Sequence, residues 1–178
     1  MSRVKSRGSR TLSAIAIGST IAATASAAQA QGVINQPRLS AHLANQVVGD
    51  SVATCAEKKY SVTAIIVDLD GVRQAVLRGN GASIHTVDNA YYKAYSAASL
   101  TLGRNEDSTY AVAQRMAKNP PSNVPNTPLP NITYGRGGIA IKAGGKIIGG
   151  LGVSGAPGGQ FDEECGLAAL EKIKEQLK

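Results

Sequence analysis

The sequence contains no tryptophan and a single phenylalanine, and aromatic residues make up only 4% of it. No Lys/Arg cluster exists and no basic segment is interleaved with aromatics, so nucleic acid is excluded as a partner. Cysteine is equally scarce: Cys55 and Cys165 are the only two, and neither sits in a Cys-x-x-Cys or metal-spaced pattern. His42 and His85 are the only histidines, and with the scattered acids they form no ligand spacing for zinc or calcium. Charged residues reach only 17% against 43% hydrophobic, with 20 Gly and 7 Pro. That balance excludes a disordered tail, a coiled coil and a collagen-like fibre, and predicts a globule.

The first thirty residues read as an export signal. Arg3, Lys5, Arg7 and Arg10 precede an uncharged stretch from Thr11 to Ala27, and Ala28-Gln29-Ala30 places small residues at the two positions a signal peptidase reads. The apolar run is diluted by Ser, Thr and Gly and falls short of the roughly twenty residues a membrane span needs. Adjacent arginines, which a twin-arginine signal requires, are missing. The expectation is a signal peptide over 1–30, a polar leader over 31–38 and one domain over 39–178, exported to the periplasm or secreted. Without the four basic residues of the signal, fifteen Lys and Arg face twelve acids, a net charge too small and scattered to define a partner. In an oxidising compartment the two cysteines either pair as one disulfide or remain two buried thiols.

Apolar residues between Leu39 and Lys58 recur at helical spacing, with Ser40 placed to cap. The period then changes to a β-branched run from Val62 to Val67, the turn Asp68-Leu69-Asp70-Gly71, and a returning segment over 72–77, which together predict a hairpin. Ser83 to Leu100 is again helical, and Asp107 or Ser108 caps a shorter helix over 109–118. Five prolines between Asn119 and Pro130 allow neither regular element. A second hairpin covers Gly138 to Val153, with Ile132 to Tyr134 leading into it, and a helix covers 161–177, opening on acids and closing on lysines. Hairpins with segregated helices predict an α+β domain on an antiparallel sheet.

The loop Gly152-Val153-Ser154-Gly155-Ala156-Pro157-Gly158-Gly159 leads from strand to helix, where phosphate loops occur. It lacks the lysine and hydroxyl of a P-loop, and Asp162, Glu163 and Glu164 open the helix with charge that would repel an anion. Ser154 matches a nucleophile elbow only in part, because Ala156 stands where the last glycine belongs. Asp68 and Asp70 sit at a hairpin turn, where Asp is favoured for local hydrogen bonding. Haem needs less than these sites do: one axial His, Tyr or Met, an apolar cleft, and one or two basic residues for the propionates. The stretch from Arg78 to Tyr95 brings Arg78, His85, Tyr91, Tyr92, Lys93 and Tyr95 together. Taken singly, Tyr91 and Tyr95 read as core contacts, Lys93 as solvated and His42 as exposed on the first helix.

Three stretches carry a family. Val62-Thr63-Ala64-Ile65-Ile66-Val67-Asp68-Leu69-Asp70-Gly71, then Arg78-Gly79-Asn80-Gly81-Ala82-Ser83, then Lys93-Ala94-Tyr95-Ser96-Ala97 resemble the GlcG/HbpS family of haem-binding proteins. The tail is similar to its C-terminal signature at Gly137 to Ile141, at Gly145 to Gly155 and at Asp162 to Ala169. One stretch departs, since Arg78-Gly79-Asn80-Gly81-Ala82 stands where the family usually reads Arg-Met-Asp-Gly-Ala. The resemblance implies a five-stranded antiparallel sheet flanked by helices, homo-oligomers, and haem b as the first ligand to test. The candidate haem contacts are His85 and His42, with His85 the candidate iron ligand, and Arg78, Tyr91 and Lys93.

Three functions follow as expectations. The first is an exported haem-binding module for storage, scavenging or sensing. The second is an extracytoplasmic enzyme or accessory subunit acting on a small organic acid or a cobalamin-related ligand, with Arg78 or Lys93 holding a carboxylate; the want of a convincing nucleophile and base weighs against it. The third is an interaction subunit docking on an extracytoplasmic sensor domain.

Overall fold

β1 (Thr63–Asp68) is buried at every position, because it lies at the centre of the sheet with helices on both of its faces. The computed structural model describes residues 32–119 and 129–178. The export signal at 1–30 and most of the proline-rich stretch, 120–128, lie outside the described residues. β1 forms a hairpin with β2 (Arg73–Arg78) and pairs on its other side with β4 (Lys146–Ser154), which forms the second hairpin with β3 (Gly138–Ala143). The sheet is therefore antiparallel in the order β2-β1-β4-β3. Asp68 closes the first turn, its Oδ1 accepting the N–H groups of Asp70 (3.0 Å) and Val72 (2.9 Å).

Among the described residues four strands stand where the family resemblance implied five. The chain beside β3 makes a single antiparallel bridge, Ser108 to Ile139, and Ala140 N–H donates to Asp107 O at 2.9 Å. The Ser108 hydroxyl then accepts the Ala111 N–H at 3.2 Å and caps α3 (Thr109–Lys118), so the backbone leaves the edge after one residue pair. Ile132 to Tyr134 is likewise irregular rather than extended into a strand. The closing helix is also shorter than its periodicity suggests: α4 (Gly159–Glu171) stops and a 3-10 turn, Lys174–Leu177, follows. Ile173 between them is fully buried, and Gly144 N–H ties the tail to the second hairpin by donating to Leu177 O at 2.9 Å.

On one face, α1 (Ala41–Glu57) and α4 cover Ala64, Ile66, Leu151 and Val153. Ser40 caps α1 as expected, accepting from Leu43 N–H. The Sγ atoms of Cys55 in α1 and Cys165 in α4 are 2.13 Å apart, a disulfide linking the two helices at the centre of this core. The other face is covered by α2 (His85–Leu100), whose Ala90, Ala94 and Ala98 pack on Ile65 and Val67. These alanines meet glycines: a Cβ at Gly152 would lie 2.0 Å from Ala90 O, and one at Gly150 would lie 2.2 Å from Ala94 O. The richness of β4 in glycine thus lets the α2 backbone rest directly on the sheet.

Two substitutions separate packing from glycine content. Gly152→Ala should lower the unfolding free energy by about 3 kcal/mol through this clash. Gly49→Ala, facing open space in α1, should raise it by about 0.5–1 kcal/mol. Urea unfolding of the two variants measures both signs.

Candidate functional site

The first turns of α2 and α4 approach each other where β1 begins and β4 ends, since Thr63 pairs with Ser154 there. Between β4 and α4 the backbone passes so close to Ser61 that a Cβ at Gly155 would lie 2.4 Å from Ser61 O, and Gly155 has φ +133°. Glycine is required at this crossing. Beyond it, Asp162 enters the first turn of α4 and meets Lys93 from the middle of α2. Lys93 Nζ donates to Asp162 Oδ2 at 2.7 Å and to Val153 O at 2.9 Å. Asp162 Oδ1 accepts the Ala156 N–H at 2.9 Å. Lys93 is 5% exposed and Asp162 2%. Burial holds the Asp162 carboxyl above the ordinary value of 3.8; the opposing charge and hydrogen bond of Lys93 and the backbone N–H groups of Ala156 and Gly155 offset this only in part.

Above this pair opens a cleft of about 600 Å3, lined among others by Lys59, His85, Asn89, Lys93, Ser154 and Asp162. Its walls are cross-tied: Asn89 Nδ2 donates to Ser154 Oγ at 2.8 Å, the Thr63 and Thr86 hydroxyls are 2.8 Å apart, and the Thr86 hydroxyl donates to Ser83 O at 2.6 Å. α2 is thereby bonded to both central strands. The volume lies in the range of small-molecule sites, roughly 300–1,000 Å3, but the lining is mostly polar.

Of the residues expected from sequence, His85 and Lys93 come together in this cleft. Lys93 is buried rather than solvated. Arg78 is turned to its own loop, with Nε donating to Ala82 O at 2.8 Å and Nη2 donating to the same oxygen. Tyr91 faces the first hairpin turn: its hydroxyl donates to Gly71 O at 3.3 Å, and the Arg73 guanidinium lies 3.7 Å from its ring centre. His42 is exposed on α1, across the sheet from α2. Lys59, Asn89, Ser154 and Asp162 are cleft residues that sequence reasoning did not assemble. Asp162 carried a signal, an acid in a first turn, but a helix dipole explains such an acid equally well. Among the described residues no group of three or more His, Cys, Asp and Glu side chains could hold a metal ion, and no helix is long and apolar enough to cross a membrane.

An antiparallel sheet with helices on both faces and a cleft between two helix N-termini defines an α+β domain with a polar cleft at the helix starts. The sequence matches the family model "Haem degrading protein HbpS-like" over residues 39–171, and the chain belongs to that family. Among solved structures, the double mutant of HbpS from Streptomyces reticuli is 26% identical with a TM-score of 0.70, covering 83% of this chain and 94% of that one. The ORFY protein of Klebsiella pneumoniae is 22% identical with a TM-score of 0.67, over 79% of this chain and 94% of that one. A PduOC:haem complex is 23% identical with a TM-score of 0.62, over 77% and 96%; these last two likenesses concern the fold. No curated protein sequence matches significantly.

Breaking the buried pair leaves a charge without its partner. Lys93→Met should cost about 3–5 kcal/mol, and Lys93→Met with Asp162→Leu should recover much of that loss. Because the native state binds more protons at Asp162 than the unfolded chain does between pH 3.8 and the raised native value, this group's contribution to stability falls as pH rises through that window. Asp162→Asn should remove that slope. Denaturant titrations of these variants across pH check all three.

Proposed function

We propose that this protein is an exported haem-binding module, carried out of the cytoplasm by the signal at residues 1–30 and acting as a homo-oligomer in the periplasm or outside the cell. Membership of the HbpS-like family is the observation that carries the haem reading. The donor set of the cleft fits the group. The His85 imidazole stands exposed at the start of α2, without a hydrogen bond from any described residue, and is the candidate axial ligand. Ile84 beside it is 79% exposed and offers apolar surface to a porphyrin, and Lys59 supplies a cation for a propionate. One chain's cleft has few other apolar walls, so this reading requires a second copy to supply the rest. When bound, the haem supplies a redox-active iron. The chain's own part is to present the imidazole, pair the carboxylates and, through the Lys93–Asp162 pair, hold the two helix ends that frame the site.

The arrangement favours binding over a role as an extracytoplasmic enzyme acting on a small organic acid or a cobalamin-related ligand. Ser154 accepts from Asn89 and makes no hydrogen bond to a histidine among the described residues, and Asp68 is spent on its turn.

Haemin titrated into the processed chain, residues 31–178, should give a saturable, shifted Soret band. His85→Ala should lose most of the shift, and His42→Ala should leave it intact. A flat titration, or a shift indifferent to His85, contradicts the reading.

A further inference from the structure

We propose that the inner end of the cleft is a binding site for a carboxylate group. The carboxylate can come from a haem propionate, in which case the inference rests on the haem reading, or from a free small organic acid, in which case it stands alone.

The sequence argues against an anion here because three acids open α4. The structure removes that objection, since each of the three is spent on a cation: Asp162 on Lys93, Glu163 on Arg136 and Glu164 on Lys58. What remains facing the cleft is donor-rich. Lys93 and Ser154 are both more than nine-tenths buried and both line it. The Lys93 ammonium has three protons and two acceptors, Val153 O and Asp162 Oδ2, among the described residues. The Ser154 hydroxyl accepts from Asn89 and has no acceptor for its own proton among the described residues. Each buried group thus keeps a donor in reserve on the cleft wall.

Two helix ends add to this field. α2, of 16 residues, starts after Ile84, and α4, of 13 residues, starts after Gly158; neither has a side-chain cap. The Thr86, Val87, Phe161 and Asp162 N–H groups donate to backbone carbonyls of their own first turns, which leaves the N–H groups of His85, Gly159 and Gln160 without an acceptor among the described residues, and Ser83, His85, Gly158 and Gly159 at these ends line the cleft. Lys59, Lys93 and Asp162 are the charged lining residues when His85 is neutral, a formal charge of +1. That charge matches one carboxylate and undershoots a phosphate dianion.

The test uses the processed chain with butyrate as probe, titrated at constant ionic strength against chloride, and haemin beside haemin dimethyl ester, whose propionates are blocked. Butyrate should move the amide resonances of Gly155, Gly158 and Gly159 saturably, and Ser154→Ala and Lys59→Glu should each weaken it about tenfold. Lys59 is exposed, so Lys59→Glu keeps the test valid if Ser154→Ala fails to fold. If butyrate is silent but haemin binds at least tenfold tighter than its ester, and Lys59→Glu removes that advantage, the site is a propionate site. Butyrate binding without haemin binding sustains the carboxylate site and defeats the haem reading. Butyrate silence together with equal binding of haemin and its ester overturns the carboxylate site and leaves the haem reading standing.

Discussion

The buried ion pair between Lys93 and Asp162 is the contact on which the arrangement of the cleft depends. It joins the middle of α2 to the first turn of α4, and through Val153 O it joins both to the end of β4. Gly137, with φ +110°, passes so close that a Cβ there would lie 3.0 Å from Lys93 Nζ and 2.8 Å from Val153 O. Four segments distant in sequence therefore converge on one ammonium group. Such a pair adds little net stability over apolar side chains of the same shape, because desolvation offsets most of the attraction. Its consequence is geometric: the two helix ends that frame the cleft cannot shift independently without uncovering a charge.

The same cleft depends on how closely α2 approaches the sheet. Gly150 and Gly152 under Ala90 and Ala94 bring the helix backbone onto β4, which puts Asn89 within reach of Ser154 and Thr86 within reach of Thr63. Larger residues at either layer would lift α2 and break the cross-ties lining the cleft. The opposite face is held by other means, an apolar core and the Cys55–Cys165 disulfide between α1 and α4. Helix α4 belongs to both systems: Asp162 faces the cleft and Cys165, three residues on, anchors in the core.

Much of the fold was legible because local signals there are strong. The β-branched run of β1, the Asp68 turn, the Ser40 and Ser108 caps and the helical spacing of α2 each name their element. Among the described residues no fifth strand forms, because edge pairing beside β3 is decided by where the chain is pulled next, and the Ser108 cap pulls it into α3. The site was half legible. His85 and Lys93 lie close in sequence on one helix, so they could be grouped. Arg78 and Tyr91 are just as close but point to Ala82 O and Gly71 O, which spacing alone does not reveal. Asp162 and Ser154 are brought in by strand pairing and the Gly155 crossing, contacts between segments some sixty residues apart. The pairing of the α4 acids was hidden for the same reason, since their cations come from α2, from Arg136 ahead of β3, and from the end of α1.

Amide hydrogen exchange on the parent chain and on Asp162→Asn tests most directly whether the buried pair holds the cleft together. The account predicts that exchange quickens together at the first turns of α2 and α4 and along 155–159, while α1 around Cys55 keeps its protection. Uniform loss of protection across both faces, or loss at one helix end without the other, would contradict it.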